Sequence, residues 1–274
     1  MIRLREQEFA EIVKYMGDEY GINLGKKKVL IECRMTKLLE KRGLSSFEEY
    51  LELMRKDKTG DLAGEMVNSL TTNYTYFYRE PDHFISLQKV ILPELLERRQ
   101  YSGLDIWCAG CSTGEECYTL AMALEECRRT DRKLGNTRIW ATDISAAVLE
   151  KAQKGEYPEK EMEGLPADWQ KKYCRRIDDR SFRVAGELKK YIRFQKRNLL
   201  EPPAPSEKFD LILCRNVMIY FDKDVRQKLI RILESSLHPG GYLLTGHAEL
   251  LASAETILKP VFPAVYRKEM RKDK

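Results

Sequence analysis

Leu104-Asp-Ile-Trp-Cys-Ala-Gly110-Cys-Ser-Thr-Gly114-Glu-Glu116 is the stretch that decides the fold class of this 274-residue chain. It opens as a short apolar run of strand character, passes two glycines within five residues, and enters a helix near Glu115. Glycines at the carboxyl end of a strand let the backbone approach a ligand closely, as they do at the strand ends of open α/β sheets. The dinucleotide fingerprint G-x-G-x-x-G is not what stands here, and two glutamates at the helix start would repel a pyrophosphate. A cationic group, such as the amino group of a methionine moiety, suits them better. An ordinary tight βα turn, with both glutamates stabilising the helix dipole, is the competing reading of this stretch alone.

Downstream, short apolar runs alternate with helical stretches. Strands are predicted at 104–109, 138–142, 191–195, 209–214, 242–245 and near 264–267, an order that predicts a mainly parallel sheet with helices on both faces. Residues 170 to 190 are short and charged and read as a small β insertion. Upstream, residues 1 to about 70 read as helices: Phe9, Ile12, Val13 and Met16 recur at the spacing of one buried helical face. Gly43 ends the next helix, Ser46 with Glu49 offers a capping box to the one after, and a further helix covers about 60–70. The chain therefore divides into a helical domain over 1–72 and an α/β domain over 73–274 that carries the insertion.

Composition narrows the function classes. Hydrophobic residues make up 43% and charged residues 33%, enough for a sizeable core under a well-solvated surface. No apolar run approaches the roughly 20 residues of a membrane span, and the N-terminus lacks the apolar segment of a signal peptide, which predicts a cytoplasmic protein. Seven scattered cysteines suit reduced thiols packed as small hydrophobes. Cys108 and Cys111 form a C-x-x-C pair, but no second pair or spaced histidine completes a metal or redox site. A net charge of +5 permits an acidic partner without demanding nucleic acid.

Three further segments carry polar residues where ligands bind such folds. Asp143 directly follows the second strand, where a carboxylate can accept from both hydroxyls of a ribose; capping the next helix is its alternative role. The strand at 209–214 ends in Arg215-Asn216 and runs on to Tyr220-Phe221. Methyltransferases of nucleobase or amide nitrogen often carry Asn/Asp-Pro-Pro-Tyr at this point, and its absence lowers the nucleic-acid reading. Asn73-Tyr-Thr75-Tyr-Phe-Tyr-Arg79 packs four aromatics into five residues, as between a helical and a sheet domain, and ends on an arginine suited to a carboxylate. His83, His238 and His247 show no metal-ligand or base-and-nucleophile spacing and read as structural.

Together these segments closely resemble the chemotaxis receptor methyltransferases, the CheR family, over nearly the whole chain. The pieces that carry the likeness are Thr72-Asn-Tyr-Thr-Tyr-Phe-Tyr-Arg79, Cys111-Ser-Thr-Gly-Glu-Glu116, Ala141-Thr-Asp-Ile144, Asn198-Leu-Leu200, Cys214-Arg-Asn-Val-Met-Ile-Tyr-Phe221 and Gly246-His-Ala-Glu249. The resemblance implies a Rossmann-like, S-adenosylmethionine-binding sheet domain behind an all-helical domain, with the small β-subdomain inserted. It implies that Asn73, Thr75 and Arg79 help enclose the cofactor, that Gly110 lines it, and that Glu116 meets the methionine amino group. Asp143 would meet the ribose, Asn198 and Leu199 the adenine, and Arg215 and Asn216 would complete the site. Arg79 and Tyr220 are then the residues nearest the transferred methyl and the acceptor carboxylate, and no metal is expected. Gly110 and Cys117 stand where alanine and proline are commoner in the family, and Ala248 where serine is usual.

The implied reaction turns glutamate side chains on the cytoplasmic domains of chemotaxis receptors into methyl esters, leaving S-adenosylhomocysteine. A glutamate of pKa about 4.3 is ionised at neutral pH and needs no general base, which agrees with the absent catalytic histidine. The alternatives are methylation of another acidic signalling protein, or an inactive module that senses the cofactor or binds a receptor. The insertion lacks the glycine-rich loop of members that grip a receptor's C-terminal pentapeptide, so tethering of that kind is not expected. On a helix predicted over 26–42, Lys26, Lys27, Arg34, Lys37 and Lys41 fall within an arc of roughly 100° and form a candidate docking stripe for an acidic receptor helix. Ile31, Met35, Leu38 and Leu39 pack inward beside it.

Overall fold

The computed structural model describes residues 2–100, 102–131 and 134–270. Four helices come first: α1 Glu6–Tyr20, α2 Lys28–Arg42, α3 Phe47–Lys56 and α4 Asp61–Leu70. They enclose a core of their own, in which Ile12, Met16, Ile31, Met35, Leu39, Phe47 and Tyr50 are fully buried. The predicted inward faces of α1 and α2 hold, with Phe9, Val13 and Leu38 only partly buried. Gly43 closes α2 in the left-handed conformation (φ 70°). The capping box is half made: Ser46 Oγ accepts from the Glu49 N–H, but the Glu49 carboxylate turns to the backbone and hydroxyl of Ser45.

After an extended linker, α5 Pro81–Ser86 continues through a π-helical turn, Leu87–Ile91, into α6 Leu92–Arg98. The α/β domain then runs β1 Asp105–Ala109, α7 Glu115–Asp131, β2 Arg138–Asp143, α8 Ala146–Lys154, β3 Glu156–Pro158, α9 Ala167–Tyr173, β4 Cys174–Arg176, β5 Ser181–Val184, α10 Gly186–Lys189, β6 Ile192–Lys196, β7 Phe209–Cys214, α11 Lys223–Ser236, β8 Leu237–Thr245, β9 Lys259–Phe262 and β10 Val265–Arg267. Seven strands form one sheet in the order β6-β2-β1-β7-β8-β10-β9, parallel from β6 to β8, with β10 and β9 antiparallel at one end. The edge strand β9 escaped the sequence reading because all four of its residues are exposed and show no burial alternation.

Both faces of β1 are buried, as a central parallel strand requires. Ile106 and Cys108 point into the core under α7, while Trp107 and Ala109 point into the core under α11. From β1 the chain moves outward to β2 and β6, then returns to β7 on the other side of β1. That reversal opens a crevice between the carboxyl ends of β1 and β7, where open α/β sheets bind ligands. The insertion is a separate antiparallel sheet, β3-β5-β4. It starts at Glu156, ahead of the predicted 170–190, because β3 is only three residues long and too short to read from pattern.

The helical domain docks onto this crevice. Ile22 bridges to Phe221, the Asn23 N–H donates to the Tyr220 carbonyl (3.1 Å), and the Asn198 amide donates to the Glu19 carbonyl (2.7 Å). Gly21, at φ 69°, makes the close approach possible, since a Cβ there would lie 2.5 Å from Val225 and 2.8 Å from Leu200. Among the described residues no helix is long and apolar enough to cross a membrane.

Candidate active site

A cleft of about 1260 Å³, counting the part open to solvent, runs from the carboxyl ends of β1, β2 and β7 to the underside of the helical domain. Asn73, Thr75, Arg79, Gly110, Glu116, Asp143, Asn198, Leu199, Arg215, Asn216 and Tyr220 all line it. The sequence separates these residues by up to 147 positions; the sheet reversal and the docked linker bring them together.

The floor is the loop after β1. Gly110 adopts φ 83°, and a Cβ at this position would stand 2.5 Å from Val217; an L side chain would be strained and would also clash with the Val217 side chain. The Gly110 and Cys111 N–H groups both donate to the Thr142 carbonyl (2.8 and 2.9 Å), locking the loop to the end of β2. The two glutamates that follow differ in role. Glu115 is 1% exposed and turns inward, accepting from the Thr113 hydroxyl at 2.7 Å; burial raises its carboxyl to about 7. Glu116 faces the cleft, so only one glutamate of the pair is placed to meet a ligand.

Glu116 is not free-standing. Its Oε2 accepts from Arg215 at 2.8 Å, and the other arm of Arg215 reaches Glu80 at 3.1 Å and the Arg79 carbonyl. Burial raises the Glu116 carboxyl, and Arg215 opposes that shift. Burial works in the same direction on Glu80, but Arg215 outweighs it and holds that carboxyl low. Arg215, with 2% of its side chain exposed, thus sits clamped between two carboxylates from distant segments.

Asp143 is buried (7%), and burial raises its carboxyl above the ordinary range. One oxygen accepts from the Ser112 N–H (2.8 Å) and the other from the Ser145 N–H (2.9 Å). It does not cap α8; Ser145 does, accepting from the Val148 N–H. A carboxylate has about four acceptor positions, so Asp143 keeps acceptor capacity for a ligand's hydroxyl. Asn198 is more committed, its amide tied to Glu19 and its carbonyl accepting from the Leu200 N–H at 3.0 Å. Leu199 and Ile144 supply apolar wall nearby.

The linker closes the cleft from above. Ser112 Oγ donates to the Asn73 carbonyl at 2.8 Å. Its four aromatics do not all pack between domains as expected. Phe77 is buried against Tyr157 and Phe182 of the inserted sheet, and Tyr78 stacks on Phe84. Tyr74 and Tyr76 stay exposed (73% and 41%), and the Arg79 guanidinium lies over both rings at 5.9 and 5.6 Å while donating to the Tyr74 carbonyl. Cation–π contact of this kind holds a guanidinium in orientation without neutralising it.

Residues 73–266 match the family described as CheR methyltransferase, SAM binding domain, and residues 7–71 match the CheR methyltransferase all-alpha domain. The chain belongs to the CheR methyltransferase family. A chemotaxis protein methyltransferase of Borreliella burgdorferi is 41% identical over 272 residues, covering 97% of this chain and 96% of that one. Relatives of the same name from Vibrio anguillarum (34%, covering 91% of each chain) and Escherichia coli (35%, covering 93% of this chain and 88% of the other) are similar. The cofactor of this methyltransferase fold is S-adenosylmethionine, and the cleft's lining fits it: a buried carboxylate with acceptor capacity, a second carboxylate, and an apolar wall.

Two supporting residues, Glu80 and Glu249, were assigned no role from the sequence. Glu80 follows Arg79 in the left-handed conformation (φ 57°) and anchors Arg215. Glu249, 1% exposed, accepts from the N–H groups of Asn216 (2.6 Å), Ile219 (3.1 Å) and Gly246 (2.9 Å), and so shapes the loop after β7. An acidic residue in a strongly patterned segment was the available signal for each. His83 and His247, read as isolated structural residues, meet edge to face with ring centroids 4.7 Å apart. The docking stripe also changes. The helix α2 starts at Lys28, with Lys27 in capping position beside the cleft and Lys26 ahead of it. Arg34 is not a free cation, because its guanidinium donates to the carbonyls of Leu70 (3.1 Å) and Thr71 (2.9 Å) at the end of α4. Lys37 and Lys41 remain exposed, one turn apart.

Proposed function

We propose that this methyltransferase esterifies glutamate side chains on the cytoplasmic helices of chemotaxis receptors, working in the cytoplasm and recruited to those receptors. The observation that carries the reading is Arg79: a cation held upright by Tyr74 and Tyr76, lining the same cleft as Glu116, Asp143 and Tyr220. A carboxylate is the acceptor such a guanidinium suits. The names of the relatives, chemotaxis protein methyltransferases, support the pathway.

In this reading Asp143 holds the ribose hydroxyls, Glu116 the methionine amino group, and Leu199 with the backbone of Asn198 the adenine. Arg215 keeps Glu116 oriented and anchored, and Asn73, Thr75 and Asn216 complete the enclosure. Bound S-adenosylmethionine supplies an electrophilic methyl on a sulfonium. That methyl would pass to the glutamate oxygen, and the cofactor would leave as S-adenosylhomocysteine, its sulfur keeping the electron pair of the broken bond. An anion and a cation vanish together, so a cleft that excludes water favours the reaction. Arg79 and Tyr220 orient the incoming carboxylate; orientation is the main contribution required. Lys26, Lys27, Lys37 and Lys41 steer the acidic receptor helix toward the cleft. The short β4–β5 turn leads us to expect no dependence on a receptor C-terminal pentapeptide, and no nucleic-acid substrate is proposed.

Incubation with methyl-labelled cofactor and receptor cytoplasmic fragments tests this. Base-labile label on receptor glutamates is expected, equally on fragments lacking the C-terminal tail. Label confined to another protein, or resistant to base, would overturn the assignment of substrate or of bond type.

A further inference from the structure

Beside the cleft, the fold joins three residues that the proposed reaction does not use as ligands: Glu80, His83 and His247. One donor atom from each lies within 4.8 Å of the other two. His83 is 2% exposed, and neither of its ring nitrogens makes a hydrogen bond of good geometry, a weak contact with the Pro263 backbone apart. Its Nδ1 stands 3.4 Å from a Glu80 oxygen, beyond ordinary hydrogen-bond length. Unpaired buried polar groups are few in folded proteins, and each calls for a cause.

Two imidazoles and a carboxylate are a donor set of late first-row divalent ions, zinc above all. Glu80 already serves Arg215, but a carboxylate can accept at further positions. Arg215 itself is matched by both Glu80 and Glu116, so this group carries one net negative charge toward an incoming cation. Donor atoms around a tetrahedral zinc lie about 3.4 Å apart, given bonds of about 2.0–2.1 Å. The exposed His247 side chain can close the remaining gap by rotating, and its exposure leaves the fourth position to water.

We propose that Glu80, His83 and His247 form a binding site for a divalent transition-metal ion of the zinc class. The ion clamps the linker end at Glu80 and the start of α5 to the loop after β8, next to the Arg215 network but outside the cofactor cleft.

The test uses the full chain, stripped with chelator, dialysed, and titrated with Zn²⁺ by calorimetry and with Co²⁺ by visible absorption. One ion per chain is expected, with absorption typical of nitrogen–oxygen ligation and a rise in melting temperature with Zn²⁺. His247→Ala, at an exposed position, should weaken binding at least tenfold and abolish the thermal shift; His247→Gln serves as the second variant should the alanine change fold poorly. No stoichiometric binding by the wild type, or equal affinity in both variants, overturns the site. Binding that disappears in Cys33→Ser but survives in His247→Ala assigns the ion to the one exposed thiol and overturns it as well. The measurement needs neither cofactor nor methyl acceptor, so its result is separate from the proposed reaction.

Discussion

Asp143 shows how one side chain can join a structural role to the ligand-binding role proposed for it. Both oxygens hold backbone N–H groups of neighbouring loops, and the side chain lines the cleft. Asp143→Asn keeps the size and one acceptor but loses the charge and half the acceptor capacity. It should weaken S-adenosylmethionine binding by about 1.5–3 kcal/mol, the scale of hydrogen bonds to a charged group, with the thermal unfolding transition still cooperative. Calorimetry giving wild-type affinity would remove Asp143 from the binding site. Arg79 and Tyr220 belong to a different class of effect. Because they are assigned to the acceptor and the transferred methyl, Arg79→Ala and Tyr220→Phe should lower turnover more than they lower cofactor affinity. Equal losses in turnover and affinity would show that they hold the cofactor instead.

The helix α2 shows why an element's charge pattern cannot be assigned from sequence alone. The sequence places five cations on one arc, yet Lys26 and Lys27 lie ahead of α2 and Arg34 is drawn onto the carbonyl end of α4, where a cation also meets the negative end of a helix dipole. Arg34→Ala should therefore lower stability by about 1–2 kcal/mol in denaturant unfolding and leave the salt dependence of receptor methylation unchanged. Reversing the exposed pair, Lys37→Glu with Lys41→Glu, should do the opposite. The apparent KM for receptor should rise chiefly at low ionic strength, since exposed charges are screened beyond about 8–10 Å at ordinary salt, while cofactor affinity stays the same. Unchanged receptor kinetics at low salt would return these lysines to plain solvated surface.

For the whole molecule, the buried Glu115 ties stability to pH. Its carboxyl is raised to about 7 in the folded chain, against about 4.3 unfolded, so the folded state binds more protons between those values. Stability from this group is full below the unfolded pKa and is lost as pH rises through 7. Glu115→Gln should remove that slope, gaining roughly 2–3 kcal/mol on the wild type between pH 5 and 8. Parallel stability–pH curves for the two proteins would show that Glu115 is not protonated in the fold. The same residue marks the boundary of what could be read in advance. Sequence by itself determined the alternation of strands and helices, the glycine loop, and the segments that supply the cleft, because periodicity and backbone freedom are local properties. It also carried the family likeness, since Asn73 to Arg79, Glu116, Asp143 and Arg215-Asn216 stand in ordered, spaced motifs. Only the tertiary structure decided which of Glu115 and Glu116 faces the cleft, that Glu80 and Glu116 clamp Arg215, that Arg34 is engaged, and that His83 meets His247. Each of those outcomes depends on burial and on partners up to 167 positions away in the chain, as Glu80 and His247 are. Desolvation and pairing act through space, and neither leaves a period or a spacing for the sequence to display.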